Sequence, residues 1–114
     1  MLLNDFLAKL NGQAEAIEFS DTMVVIESNY SYSEVAFSNG QQNNAAGENA
    51  GSCKIFAFAK LNNLTEAQTL ACFGTYYRDD VLGFPDASDH QNIRQFMIHG
   101  WDGINFSGTA LVKK

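Results

Sequence analysis

Apolar residues at the start of the chain recur at helical spacing. Leu2, Leu3, Phe6, Leu7 and Leu10 fall on one face and Asn11-Gly12 supplies a stop, so residues 2–10 are predicted to form an amphipathic helix packed on the domain. Phe19, Met23, Ile26 and Tyr30 share a second helical face. The β-branched run Val24, Val25, Ile26 would also suit a strand, and we adopt the helix. Residues 30–37 read as extended and aromatic, with an alternation that breaks near Glu34, predicting a bend or bulge before the Asn39-Gly40 turn.

From residue 39 to 51 the chain turns to Asn, Gln, Gly and Ala, with no apolar anchor larger than alanine. This pattern predicts a loop, and a loop of about a dozen residues is longer than most connections, which makes it a candidate for function. Ser52 is placed to cap the next helix, where Cys53, Ile55, Phe56, Ala57, Phe58, Ala59 and Leu61 are apolar nearly all round, as in a central helix. Asn62-Asn63-Leu64 then turns the chain into a partner helix. Thr65 and Gln68 have capping-box spacing there, and Ala67, Leu70, Ala71, Phe73 and Tyr77 continue the helix, so Phe56 and Leu70 should be buried together. Gly83-Phe84-Pro85 ends that stretch. Ser88 and Gln91 repeat the capping-box spacing before a helix with Ile93, Phe96 and Met97 that Gly100 stops.

Ile104, Phe106, Gly108, Ala110 and Val112 alternate with polar residues, as in a half-buried strand, which should pair with part of residues 30–37 because a lone strand leaves its ladder groups unpaired. The fold class that results is α+β: a small, mainly helical single domain over residues 1–114 with a short antiparallel sheet.

Composition narrows the function classes. The 114 residues, 46% hydrophobic, suit one domain. No run reaches the ~18 apolar residues of a membrane span, and the N-terminus lacks the basic flank and cleavage site of a signal peptide, so no membrane association is expected. Thirteen acidic against seven basic residues give a net charge of -6, which repels phosphate backbones and argues against nucleic acid as a partner. Cys53 and Cys72 sit in apolar helical patterns and read as reduced, packed thiols. Together with His90 and His99 they form no zinc spacing, so neither a metal nor a cofactor is expected.

The ordered set Gly51-Ser52-Cys53-Lys54-Ile55-Phe56, Thr69-Leu70, Phe73-Gly74, Tyr76-Tyr77-Arg78, Asp89-His90-Gln91-Asn92-Ile93-Arg94 and Gly100-Trp101 resembles the HopJ (HopPmaJ) type III effector family. With Tyr30, Tyr32 and Phe37-Ser38-Asn39-Gly40, the resemblance spans residues 19–106. It implies a compact single-domain protein of a family first named for candidate type III secretion substrates of plant pathogens, and it carries no catalytic residues to transfer. Such substrates generally open on a polar, Ser-rich segment. Here an apolar-faced helix comes first and the first serine is Ser20, so the expected location is the cytoplasm of the producing bacterium, with secretion into a host cell as the alternative.

Two functional readings follow. The first is a non-catalytic binding or interaction module for a protein or a small polar ligand. Its candidate residues are Asn39, Gly40 and Asn43 in the loop, Tyr76, Tyr77 and Arg78, then Asp89, His90, Asn92 and Arg94 at a helix start, and Trp101. Most of these have an ordinary structural explanation beside the functional one: Ser88 or Asp89 as caps, Arg78 in an ion pair, Trp101 as a packing anchor. The second reading is a thiol enzyme using Cys53, in the first turn of a helix beside Lys54, with His90 or His99 as base and Asp89 or Asp102 as orienter. Binding is the favoured reading, because no nucleophile, base and oxyanion group can be placed together from the sequence.

Overall fold

In the computed structural model, which describes residues 2–114, helix α3 (Ala50–Leu61) forms the centre of the interior. Its Cys53, Ile55, Phe56, Ala57, Phe58 and Ala59 are all buried, the outcome expected of a helix apolar nearly all round. Phe58 meets Phe6 of α1 (Leu3–Gly12) and Tyr30 of β1 (Tyr30–Tyr32), each with ring centroids 5.8 Å apart. On another side Phe56 lies 5.5 Å from Phe73 and 5.0 Å from Phe96 of α5 (Gln91–His99). Leu70 of α4 (Glu66–Ala71) is buried in the same cluster as Phe56, as expected.

The segment at 19–29 is helical (α2, Phe19–Asn29), with the Glu18 amide held by the Asp21 carboxylate at 3.1 Å. At Thr65 both capping-box bonds form, Gln68 N–H to Thr65 Oγ1 at 3.1 Å and Thr65 N–H to Gln68 Oε1 at 3.0 Å. Two other helix starts differ from expectation. Helix α3 begins at Ala50 behind Asn49, leaving Ser52 inside its first turn, and α5 begins behind His90. Both N-cap residues take the left-handed conformation, which turns their side chains away from the capping position occupied at Thr65.

Helix α4 is also shorter than the periodicity implied. Its last amides tighten to bonds three residues back, Phe73 to Leu70 and Gly74 to Ala71, and the chain turns at Gly74 with φ +61°. A Cβ at Gly74 would sit 2.6 Å from the Phe19 amide nitrogen, so glycine is required both for the turn and for the close approach of α2. Beyond this break, residues Tyr76–Val81 wind as one π-helical turn, closed by the Leu82 amide on the Tyr77 carbonyl at 3.0 Å.

The expected loop at 39–51 is a hairpin up to residue 44, a turn over 46–49 and the start of α3 from Ala50. Strand β2 (Phe37–Asn39) pairs antiparallel with β3 (Gln42–Asn44) across the Gly40-Gln41 turn. The C-terminal strand divides into β4 (Ile104–Phe106), paired with β2, and β5 (Leu111–Lys113), paired with β1. Both ladders keep one register, with Asn39 opposite Ile104 and Tyr30 opposite Lys113. The expected pairing therefore forms as a ribbon that opens in the middle and turns over there. Ile104 faces inward at one end, but at the other Leu111 is buried and Val112 is 58% exposed, reversing the inward phase expected for Val112.

Phe56→Ala should cost about 3–5 kcal/mol, since three aromatic neighbours lose their common contact. Gly74→Ala, a smaller chemical change, should still destabilise by roughly 1–3 kcal/mol, because the new methyl meets fixed backbone; a chemical melt at wild-type midpoint for either variant would contradict this packing. Burial pushes the Cys72 thiol up to about 12. The raised native pKa contributes stability that is complete below the ordinary thiol value near 9 and is lost as pH rises toward 12, since only the unfolded chain ionises in that window. Melts between these limits should show a fall in stability with pH that Cys72→Ala makes shallower.

Candidate functional site

A cleft of about 410 Å³ opens where the starts of α3 and α5 meet the start of α2 and the π-helical turn. Phe19, Phe73 and Tyr76 make its aromatic side. Phe19 and Tyr76 stack edge to face at 5.1 Å, and Tyr76 extends the wall to the His90 ring at 5.3 Å. The π turn matters here, since its wider winding carries Tyr76 into the cleft and Asp80 to the His90 imidazole.

The opposite side is polar, with Asn49, Gly51 and Ser52 contributed by α3 and Gln91 and Asn92 by α5. The left-handed caps Asn49 (φ 50°) and His90 (φ 51°) leave both helix starts without a side-chain cap. Among the described residues, no acceptor reaches the first-turn amides of Ala50, Gly51, Ser52, Gln91 or Asn92. Two sets of free N–H donors and two positive helix ends therefore meet at one cleft.

Buried asparagines hold this arrangement. Asn44 and Asn92 exchange amide hydrogen bonds, Asn92 Nδ2 donating to Asn44 Oδ1 at 3.0 Å and Asn44 Nδ2 to Asn92 Oδ1 at 3.2 Å. Asn39 Nδ2 donates to the Asn92 carbonyl at 2.7 Å, and Asn49 Nδ2 donates to Asn44 Oδ1 at 2.7 Å. The hairpin is thus tied to both helix starts by bonds in which at least one partner is a side chain.

His90 stands at the mouth, its Nε2 3.1 Å from Asp80 and 3.7 Å from Asp89. Asp89 also receives Arg94 at 2.7 Å, and this hydrogen bond, with His90 nearby, holds its carboxyl below the usual carboxylate range. Arg94 itself is buried, donating to the Asp89 and Pro85 carbonyls as well.

Of the residues singled out from sequence, Tyr76, His90 and Asn92 line the cleft, and Asn39 supports Asn92 from behind. The others lie elsewhere. Gly40 packs against His99 and Gly103, Asn43 lies on the outer face of the sheet, and Tyr77 packs on the core. Arg78 binds the Ile17 carbonyl at 2.7 Å and Glu18, and Trp101 packs on Phe96 at 5.1 Å. Sequence reading missed Phe19, Ser52 and Phe73 as cleft residues, and reached Asn49, Gly51 and Gln91 only as members of the loop 39–51 and of the helix start near His90. A helix opening on Asn-Ala-Gly-Ser, small residues behind an Asn able to turn left-handed, was the available signal.

Cys53 is 1% exposed, and burial raises its thiol pKa against the opposing effects of the Tyr32 hydroxyl and Lys54. That hydroxyl is turned toward the sulfur but makes no hydrogen bond of normal geometry. Neither imidazole is among the groups that act on this thiol. His90 is engaged with Asp80 and Tyr76, and His99 packs on the Gly40 turn.

No helix among the described residues is long and apolar enough to cross a membrane. Among curated proteins, none matches the chain. A solved structure described as that of the unknown function protein VPA0580 is 55% identical, with a TM-score of 0.99 over 100% of this chain and 95% of that one. The family model for the HopJ type III effector protein matches residues 3–111, and the chain belongs to that family.

Proposed function

We propose that this chain is a non-catalytic binding module whose cleft holds a small polar ligand bearing an anionic group. The observation that carries the reading is the meeting of two uncapped helix N-termini at one cavity. Free first-turn amides and the helix dipoles favour a carboxylate or phosphate at short range, even on a chain of net charge -6. Asn49, Ser52 and Gln91 add neutral hydrogen-bonding groups, while Phe19, Phe73 and Tyr76 offer a surface for the flat or apolar part of the ligand. A volume of about 410 Å³ suits a metabolite rather than a polymer.

The thiol-enzyme alternative finds less support, because Cys53 is buried and its neighbours are Tyr32 and Lys54 rather than a histidine. Iodoacetamide at neutral pH should label Cys53 far more slowly in the native protein than in the unfolded chain, with no change in His90→Ala or His99→Ala. Rapid labelling abolished by either histidine variant would restore the enzyme.

The binding reading is checked by amide NMR during titration with carboxylate- and phosphate-bearing metabolites. A ligand should shift Gly51, Ser52, Gln91 and Asn92 first, and Tyr76→Ala should weaken it about tenfold while the fold is kept. Shifts confined to other surfaces, or equal affinity for neutral analogues of the same ligands, would reject the site.

A further inference from the structure

A second surface, which adjoins the cleft at Gln91, carries exposed apolar side chains on a rigid frame. Leu82 is 50% exposed, Phe84 66%, Met97 45% and Ile98 69%, and a groove of about 330 Å³ runs between the end of the π turn and α5, its apolar lining of Val81, Leu82, Pro85, Met97 and Ile98 completed by Gln91, Gln95 and the buried Arg94, whose guanidinium is turned to Asp89. The frame does not depend on these side chains. Arg94 donates to the Pro85 carbonyl at 3.2 Å, and the Gly83 amide donates to the Asp79 carbonyl at 3.0 Å, so the turn is fixed to α5 from beneath. Clustered apolar exposure on a fixed backbone marks a surface that is covered in use.

The charge beside the groove identifies the kind of cover. Asp79 and Asp86 flank the turn in sequence, are exposed, and enter no ion pair among the described residues. The cations of this region are already engaged, Arg94 with Asp89 and Arg78 with Glu18, and no lysine occurs between Lys60 and Lys113. A second copy of a chain with net charge -6 would bring like charges together here, and an anionic lipid surface would be repelled in the same way. We infer that the Leu82–Phe84–Met97–Ile98 face docks a basic amphipathic helix of a partner protein, its apolar stripe in the groove and its Lys or Arg residues against Asp79 and Asp86. Such a helix supplies apolar side chains at the spacing a groove accepts, with cations along both edges of the stripe.

The test uses the intact chain with an amphipathic helical Leu/Lys peptide, and a Leu/Glu peptide of the same pattern as control. Amide NMR should show the Leu/Lys peptide shifting residues 82–86 and 97–98, more weakly as salt is raised, with no response to the Leu/Glu peptide. Phe84→Ser and Ile98→Ser remove exposed atoms, should retain the wild-type melt, and should each weaken the Leu/Lys peptide about tenfold. An Asp79→Asn, Asp86→Asn double variant should weaken it while leaving the apolar face intact. Shifts spread over the acidic surface without a focus on this face, equal binding of both peptides, or self-association in sedimentation that Ile98→Ser abolishes would overturn the inference.

Discussion

The reciprocal amide pair of Asn44 and Asn92 is the interaction on which the cleft depends. Burying an amide without partners costs roughly 1–3 kcal/mol per group, so a polar hairpin lies on this core at least cost where its side chains satisfy one another. Asn44 and Asn92 do so face to face and Asn49 joins the same oxygen of Asn44, while Asn39 gives its Nδ2 to the Asn92 carbonyl and keeps its Oδ1 buried without a partner. Apolar contacts are non-directional and would tolerate a shift of the hairpin. These bonds do not, because moving β3 by one residue would leave several buried amides unpaired at once.

That network also explains where sequence reading succeeded and where it stopped. Helical periodicity is produced by burial of apolar side chains, so α1, α2 and the central α3 were legible from Leu, Ile and Phe spacing alone. The Thr65 capping box was legible because its chemistry is local. The hairpin at 37–44 was not, since its anchors are asparagines whose partner, Asn92, lies about fifty residues along the chain, and an Asn-rich segment has the composition of a loop. Phe19 and Phe73 were read as core because an aromatic residue at helical spacing gives no sign of whether its outer edge lines a cavity. The turned-over ribbon was hidden for a related reason. Strict alternation from Ile104 to Val112 assumes one continuous strand, and an opening at residues 108–109, between the cross-strand bonds of Ser107 with Ala36 and Ala110 with Ser33, reverses the inward phase without any change of register.

Backbone irregularity is concentrated at the cleft. Asn49 and His90, two of the three described non-glycine residues at positive φ, cap the helices that begin there, and the π turn supplies Tyr76. A left-handed non-glycine residue costs on the order of 1–3 kcal/mol and persists only when its surroundings fix it. Asn49 is fixed by Asn44, and His90 by Asp80 and the Tyr76 ring. The same two conformations keep side-chain oxygens away from the first-turn amides, so the cost is linked directly to the exposure of free donors in the cleft.

The source of positive potential in that cleft is therefore backbone rather than side chain. Arg94, the guanidinium nearest in sequence to the α5 start, is buried and directed to Asp89 and Pro85, and Arg78 is directed to Ile17 and Glu18. Among the described residues, His90 is the sole one lining the cleft that is able to carry a positive charge, and its imidazole faces two carboxylates. Oriented amides differ from a lysine or arginine in two respects. They do not titrate, and they act only on an acceptor within hydrogen-bonding distance, so they discriminate by shape where a free cation would attract any anion in reach. On the proposed binding reading, leaving the cations in structural ion pairs and presenting two helix ends instead would let an acidic chain select a small anionic ligand without collecting phosphate polymers on the same surface.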